Sequence, residues 1–398
     1  MTRPAARIAF LVTHLMGSGH LVRTLAIARA VMAAGGEALV ISGGRFLAHL
    51  DAGGAQVAWL PPLTIADLDY KTLRRTDGEV ADAAYMTARR AAIADALAGF
   101  VPDVLATELY PFGRRALAAE FEAAIAVRPA GCKLAVSIRD VLEPPSKPKR
   151  AAETCARLAP YDLILCHGDP AILPLAASWP GGGAAMPDAV TDRLAYTGYV
   201  AAPAAAPAES AGDVLVSVGA GPVGRALLEM AARAAAMSDR PWRLLVGGAD
   251  AAAEAARLMA LGPAMAEPPR SDYSALLRGA ALSISLAGYN TAVEAALRGG
   301  PSILIPMEEG GEQEQILRAN GFAGLPGVTC LRIGDLTPMA LARAAEIAIA
   351  ATHRAPTVAP ALRADGARPA LRASGATPAL RASGATDSAR RLIALARA

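Results

Sequence analysis

Aromatic residues make up only 4% of this sequence, charge is nearly balanced, and cysteine occurs four times in 398 residues. Each scarcity narrows the field. Cys132, Cys155, Cys166 and Cys330 are scattered, with no CxxC pair and no histidine cluster beside them. That pattern argues against a zinc site or a disulfide framework and points to a reducing cytoplasm. A net charge of +3 with a pI near 8.7 is too mild for a nucleic-acid protein, leaving at most a weak peripheral contact with anionic lipid. No run of about 18 uninterrupted apolar residues occurs, so a transmembrane helix is not expected. The mean hydropathy of +0.33 reflects alanine rather than membrane character. The apolar stretch Ile8 to Val12 is short and lacks a small-residue cleavage site, so it reads as a first strand rather than a signal peptide.

What is present is a globular composition, 54% hydrophobic and 19% charged, on a chain long enough for two or three domains. Short apolar runs alternate with helical periodicity. Arg7 to His14 is a strand, Gly17-Ser18-Gly19-His20 a turn, and Leu21 to Ala34 a helix closed by Gly35-Gly36. Strands follow at Glu37 to Ser42, Val57 to Leu60, Val104 to Thr107, Lys133 to Ile138 and Asp162 to Cys166, with a long helix from Val80 to Ala98. Alanine and proline dominate Val200 to Gly212, as in an interdomain linker. A second alternating series starts at Asp213. It runs through the Gly219-Ala220-Gly221 loop and the helix Arg225 to Ala236, and closes with a helix at Leu336 to Ala350. The pattern predicts an α/β protein of two Rossmann-like, doubly wound domains, residues 1–200 and 213–352, joined by 201–212. Pro360 to Thr386 holds three near-copies of a nine-residue unit, read as an exposed insertion (353–386) ahead of a terminal helix in 387–398.

The most informative stretch is Leu282 to Gln315. Leu282 to Ser285 and Ser302 to Ile305 read as buried strands. Each is followed by a loop and a helix, the first capped by Thr291 and the second running from Glu312 to Ala319. Two such units put two loops and two helix N-termini at the carboxyl edge of a parallel sheet, where open α/β sheets bind ligands and where phosphate is attracted. Glu294 lies one turn inside the first helix, within reach of ribose hydroxyls. The geometry points to a nucleoside diphosphate.

These motifs resemble the two-domain (GT-B) glycosyltransferases related to the peptidoglycan transferase that moves N-acetylglucosamine from UDP onto a lipid-linked acceptor, of the family 28 C-terminal type. The resemblance covers nearly the whole chain except the nonapeptide tail. It is strongest in Ser285-Leu-Ala-Gly-Tyr-Asn-Thr291 through Glu294 and in Pro306 through Glu314-Gln315. Glu108-Leu-Tyr-Pro-Phe-Gly-Arg114 and Ser137-Ile-Arg-Asp140 further resemble a bacterial subgroup of glycosyltransferases. The resemblance implies two domains facing across a cleft and a nucleotide-sugar donor, most simply UDP-linked. It also implies a lipid-linked or polysaccharide acceptor and no cofactor beyond the donor, and the sequence has no paired-aspartate signature with metal-binding spacing, so no metal is expected. By the same token Glu294 would bind ribose, Gly288 and Thr291 would sit against the diphosphate, and Tyr289 and Asn290 would belong to the same donor site. Glu314 and Gln315 would contact the donor sugar, and Gly219 and Gly221 would form the phosphate-side loop. His20 would face the reaction centre as the candidate base. Gly17, Ser18, Gly19, Glu108, Arg114 and Arg139 would form acceptor-side loops.

Each assignment has a plainer counterpart. A lone histidine usually packs, an acidic first turn stabilises a helix dipole, and Glu108 with Arg114 can form a structural ion pair. Among the remaining histidines, His14, His49 and His353 read as structural, and His167 is the exception to watch because it ends a strand at the carboxyl edge. Leu15, Met16 and Ser18 stand where the peptidoglycan enzyme has glycines, and Gly17-Ser-Gly-His20 with Arg23 is closer to related UDP-sugar hydrolases. A UDP-sugar hydrolase and a nucleotide-sugar-binding protein without turnover therefore stand beside the transferase.

Overall fold

A computed structural model describes residues 5–47, 50–66, 69–181, 183–201, 206, 212–219, 223–248, 250–308, 313–352 and 380–398. The chain divides into two compact units. The first comprises Met1–Pro170, Pro174–Ala201 and Arg381–Ala398, and the second Ala171–Leu173 and Ala202–Leu380.

In the first unit the elements run β1 (Arg7–Val12), α1 (Gly19–Ala33), β2 (Glu37–Ser42), β3 (Gln56–Trp59), α2 (Ala83–Phe100) and β4 (Val104–Glu108). They continue with α3 (Ala118–Val127), β5 (Lys133–Arg139), α4 (Pro148–Arg157), β6 (Leu163–His167), α5 (Asp188–Thr191) and β7 (Leu194–Tyr196). All seven strands pair in parallel, in the order β3-β2-β1-β4-β5-β6-β7. Successive side chains of a strand point to opposite faces, and here both faces are covered. Ile8, Phe10 and Val12 pack with Leu21, Leu25 and Ile27 of α1. Ala9 and Leu11 pack with Ile93 and Leu97 of α2 and Phe121 of α3. A strand buried on both sides reads as an unbroken apolar run, which is why β1 is conspicuous in the sequence.

The second unit repeats the plan. Its elements are β8 (Val214–Ser217), α6 (Arg225–Ala234), β9 (Trp242–Leu245), α7 (Ala251–Met259), β10 (Met265–Glu267) and α8 (Tyr273–Gly279). Then come β11 (Leu282–Leu286), α9 (Tyr289–Leu297), β12 (Ser302–Ile305), α10 (Glu314–Phe322), β13 (Val328–Cys330) and α11 (Pro338–Thr352). Its sheet is also fully parallel, ordered β10-β9-β8-β11-β12-β13. Both sheets therefore carry the 3-2-1-4-5-6 Rossmann order, with topological switch points between β1 and β4 and between β8 and β11.

Several sequence boundaries shift. Helix α2 begins at Ala83 rather than Val80, because Asp82 caps it through the Tyr85 amide at 2.7 Å and Val80 forms a bridge with Arg74. Helix α9 begins at Tyr289, with extended Gly288 at the cap position, so Thr291 lies inside the helix and does not cap it. The described part of α10 starts at Glu314, while Glu312 lies outside the described residues. The last helix, α12 (Gly384–Leu395), starts within the third nonapeptide copy instead of after it. That copy docks on the first unit: the Tyr199 amide donates to the Arg381 carbonyl at 2.7 Å, and the Gly384 amide to the Tyr199 carbonyl at 3.0 Å. A Cβ on Gly384 would stand 2.5 Å from the Tyr199 backbone, so this copy is fitted to its place rather than freely exposed. Helix α12 then buries Ala389, Leu392 and Ile393 on the α1 face of the sheet. The two earlier copies, His49, His353 and most of the 201–212 linker lie outside the described residues.

Candidate functional site

At the switch point of the first unit, β1 delivers the Gly17-Ser18-Gly19 turn, and His20 is the second residue of α1. Glu108 is the last residue of the neighbouring strand β4. The two meet: His20 Nδ1 lies 2.6 Å from Glu108 Oε1. Arg23, one turn further along α1, donates from Nη2 to the same oxygen at 2.5 Å. Thr24 Oγ1 donates to the His20 carbonyl at 2.9 Å, tightening the turn that carries the ring. Arg23 and Glu108 are both 2% exposed, whereas the His20 side chain keeps 21% of its surface open. A carboxylate only accepts, so Nδ1 carries the proton toward Glu108 and Nε2 is left as a lone pair.

The charges around the dyad settle its protonation. Burial drives the His20 pKa down to about 4; Glu108 opposes this, and Arg114 and Arg139 add to it. The ring is therefore neutral at neutral pH. Burial pushes Glu108 up, but His20, Arg23 and Arg114 together outweigh it and hold the carboxyl well below the usual range. Arg114 Nη2 stands 3.7 Å from Glu108 Oε2. Arg139 ends β5, half-buried, and its positive charge reaches both His20 and Arg114.

The loop from Leu109 to Arg114 starts and ends in the left-handed region, with φ of 66° and 59° at those two residues. Non-glycine residues there cost about 1–3 kcal/mol each and persist only when the surroundings enforce them. The enforcement is visible. Tyr110 stacks on Phe121 at 4.8 Å, Phe112 meets Trp179 edge-on at 5.1 Å, and Thr107 Oγ1 donates to the Tyr110 carbonyl at 2.8 Å. The aromatic side chains of this loop face the core, so only Arg114 at its end, with Glu108 just before it, belongs to the polar cluster. His167 is not the exception its position suggested. It is fully buried between Ser137 Oγ (2.7 Å) and Thr197 Oγ1 (3.0 Å), and burial lowers its pKa to about 3. His14 is likewise internal, 3.1 Å from the Arg45 carbonyl.

In the second unit, Gly219 follows β8 with φ of +81°, a conformation that excludes most other residues, and open space lies where a Cβ would project. Gly221 lies outside the described residues. Gly288 follows β11 with the same open space, leaving the first amides of α9, those of Tyr289, Asn290 and Thr291, at the switch point. Glu294 sits on the next turn of α9, half-buried, and accepts from Ser274 Oγ at 3.4 Å. Burial raises its pKa to about 7 against the effect of that hydrogen bond. Its charge also bears on Tyr273, whose phenol lies 3.2 Å from Ser217 Oγ at the end of β8. The half-buried carboxyl thus stands in one patch with residues from both sides of the switch point.

Glu314 and Gln315 are committed to the scaffold. Glu314 Oε1 accepts from Arg318 Nη2 at 2.9 Å, and Gln315 Oε1 accepts from the Met307 amide at 3.1 Å. Arg318, which sequence reasoning passed over, is wholly buried and ties three features together. It pairs with Glu314, donates from Nη1 to the Ala287 carbonyl at 2.9 Å, and lies 5.5 Å from the Tyr289 ring centroid. It holds the turn before α9 in place. The available signal was its i+4 spacing from Glu314.

Residues 225–363 match the glycosyltransferase family 28 C-terminal domain. The chain has the GT-B fold, and its second unit carries this glycosyltransferase domain. Its fold is shared with MurG from Acinetobacter baumannii, at a TM-score of 0.52 and 15% identity, over 88% of this chain and 96% of that one. It is similar to a UDP-glucosyltransferase from Polygonum tinctorium that glucosylates indoxyl, at a TM-score of 0.55 and 12% identity over 100% of both chains. It is also similar to the glycosyltransferase VinC, solved in complex with dTDP, at a TM-score of 0.54 and 15% identity over 98% and 95% of the two chains. No curated protein sequence matches the chain. Among the described residues, no helix is long and apolar enough to cross a membrane. Nor does any group of three or more His, Cys, Asp or Glu among them have an arrangement that could hold a metal ion.

Proposed function

We propose that the protein transfers a sugar from a nucleoside-diphosphate donor, UDP-linked, to an acceptor hydroxyl, with His20 as the base. The observation that carries this reading is the 2.6 Å contact between His20 Nδ1 and Glu108 Oε1 at the switch point of the first sheet. It fixes the tautomer that leaves Nε2 able to accept a proton. In the reaction, Nε2 takes the proton of the acceptor hydroxyl while that oxygen forms a bond to the anomeric carbon. The bond from that carbon to the diphosphate oxygen breaks, and the nucleotide leaves with the electron pair. Glu108 stabilises the imidazolium that results, as the carboxylate of a Ser-His-Asp triad does.

The second unit supplies the other end of the reaction. Loop amides and the N-terminus of α9 face the diphosphate and stabilise its developing charge, work that preorganised dipoles do without a metal. Glu294 accepts the ribose hydroxyls. The dTDP bound to VinC and the UDP-sugar chemistry of the Polygonum enzyme support a nucleoside-diphosphate donor.

The test is incubation of the purified chain with a panel of nucleotide sugars, with and without acceptor extracts. Nucleotide release that requires an acceptor supports transfer. Free sugar without acceptor makes the protein a hydrolase, and binding without release of either makes it a nucleotide-sugar receptor.

A further inference from the structure

The dyad has one positive charge more than it needs. Glu108 carries a single negative charge, and Arg23 already engages it at 2.5 Å. Arg114 is nevertheless folded in beside it, with its side chain 7% exposed. Among the described residues, its Nε and Nη2 have no hydrogen-bond acceptor, and its only anionic neighbour is Glu108 Oε2 at 3.7 Å. That carboxylate oxygen also lacks a hydrogen bond among the described residues. Arg139 adds further positive charge to the same cluster.

A buried guanidinium with open N–H groups is costly unless something pairs with it. The loop holds Arg114 there with its backbone in the left-handed region, a second cost for the same placement. Tyr70, itself half-exposed, has its hydroxyl 3.3 Å from Met16 Sδ and bears on Arg114 electrostatically, so the cluster lies near accessible side chains. A planar fork of donors is suited to a carboxylate or phosphate.

We infer that Arg114 is the docking point for an oxyanion, a carboxylate or a phosphate carried by the acceptor, which places the acceptor hydroxyl beside His20. This deepens the transferase reading and rests on it for the word acceptor, but the anion site itself can be tested apart from the donor.

The experiment titrates methyl phosphate and, separately, glucuronate into the full-length chain held with excess UDP, so that a diphosphate site in the second unit is already filled. The readout is the His20 imidazole resonance, assigned by its loss in His20→Gln. A saturable shift is expected from at least one probe. A response to methyl phosphate alone identifies a phosphorylated acceptor, and one to glucuronate alone an acidic sugar. Arg114→Gln should weaken the affinity roughly thirtyfold or more, the usual consequence of truncating a buried charge pair. Arg114→Lys, which keeps the charge but loses the fork, should fall between, and thermal melting confirms that each variant is folded. An unchanged affinity in folded Arg114→Gln, or no saturable shift from either probe in the wild-type chain, overturns the inference. UDP binding is measured in the same samples. If UDP fails to bind while the Arg114-dependent shift persists, the donor reading fails and the anion site stands.

Discussion

Replacing Glu294 by Gln should separate stability from function in opposite directions. With its pKa raised to about 7 by burial, against an ordinary 4.5, the carboxyl is protonated in the folded chain at pH 5 to 6 and ionised in the unfolded one. The unfolded state therefore binds fewer protons between those two values, and stability falls as pH rises through the window. At 1.36 kcal/mol per pKa unit, the penalty at pH 8 is on the order of 3 kcal/mol, reduced by whatever solvent reaches the half-buried group. Gln cannot ionise, so E294Q should be the more stable protein at pH 8 and nearly equal to wild type at pH 4.5. Amide exchange in α9, corrected for its intrinsic pH dependence, reads the difference where it arises. Donor binding should move the other way. Each hydrogen bond from a ribose hydroxyl to the carboxylate is worth about 1.5–3 kcal/mol, so E294Q should bind UDP roughly tenfold to a hundredfold more weakly at pH 8. Wild-type affinity should also weaken below pH 7, and E294Q should lack that dependence. Equal stability at pH 8 together with unchanged UDP affinity would refute both the buried carboxyl and its role.

Other consequences follow from the first unit. His20→Ala should leave UDP affinity intact and lower turnover by ~10²–10⁴, the usual worth of a general base; turnover close to wild type would make the ring structural. Because burial takes the His20 pKa to about 4, kcat/KM for the acceptor at saturating donor should hold level down to pH 6 and fall near pH 4, whereas an unperturbed histidine gives a limb near 6.5. Glu108→Gln should reduce turnover and also destabilise the first unit by about 3–5 kcal/mol, since it removes the buried carboxylate that Arg23 engages; melting and UDP titration distinguish this from loss of donor binding. Arg89 and Glu120, both fully buried and joined by two hydrogen bonds of 2.7 and 2.8 Å, make a structural control. Arg89→Met should cost about 3–5 kcal/mol in urea unfolding, without moving the pH profile of any active protein that remains.

The strands of this fold are legible where both faces of a sheet are buried and illegible where they are short or dilute. Ile8 to Val12 and Val214 to Val216 carry continuous apolar residues because helices cover them on both sides, and Leu282 to Leu286 is buried throughout with only the small Ser283 and Ser285 among its apolar residues. Strands β10 and β13 have three residues each, too few for any period to show. Helix α7 opens Ala251-Ala-Ala-Glu-Ala-Ala256, with alanine on its buried face (Ala251, Ala255) and on its exposed one (Ala252, Ala256) alike, so residue type does not tell the two faces apart there. Arg89 shows the converse failure. It shares the inner stripe of α2 with Ile93, Leu97 and Phe100, but a charged residue at a core position reads as a surface position until its partner, Glu120, is known.

The same limit applies to the site, and topology explains where it falls. Gly288, Thr291 and Glu294 are consecutive turns of one helix entry, so their proximity follows from helical geometry alone. His20 and Glu108 are separated by 88 positions, and nothing in either local segment announces the other. What joins them is the strand order. Once β1 and β4 are neighbours at a switch point, the helix after β1 packs on one face of the sheet and the helix after β4 on the other. The two connections diverge, and the residue that ends β4 is left facing the first turn of α1 with no backbone between them. Arg23 then reaches the same carboxylate because it is three residues beyond His20 on that helix. The Rossmann order, already implied by the doubly wound pattern, is therefore the step that connects them. With it, the acidic residue ending the fourth strand is the natural partner for a histidine opening the first helix, and the Glu108–His20–Arg23 cluster follows from sequence positions that were already in view.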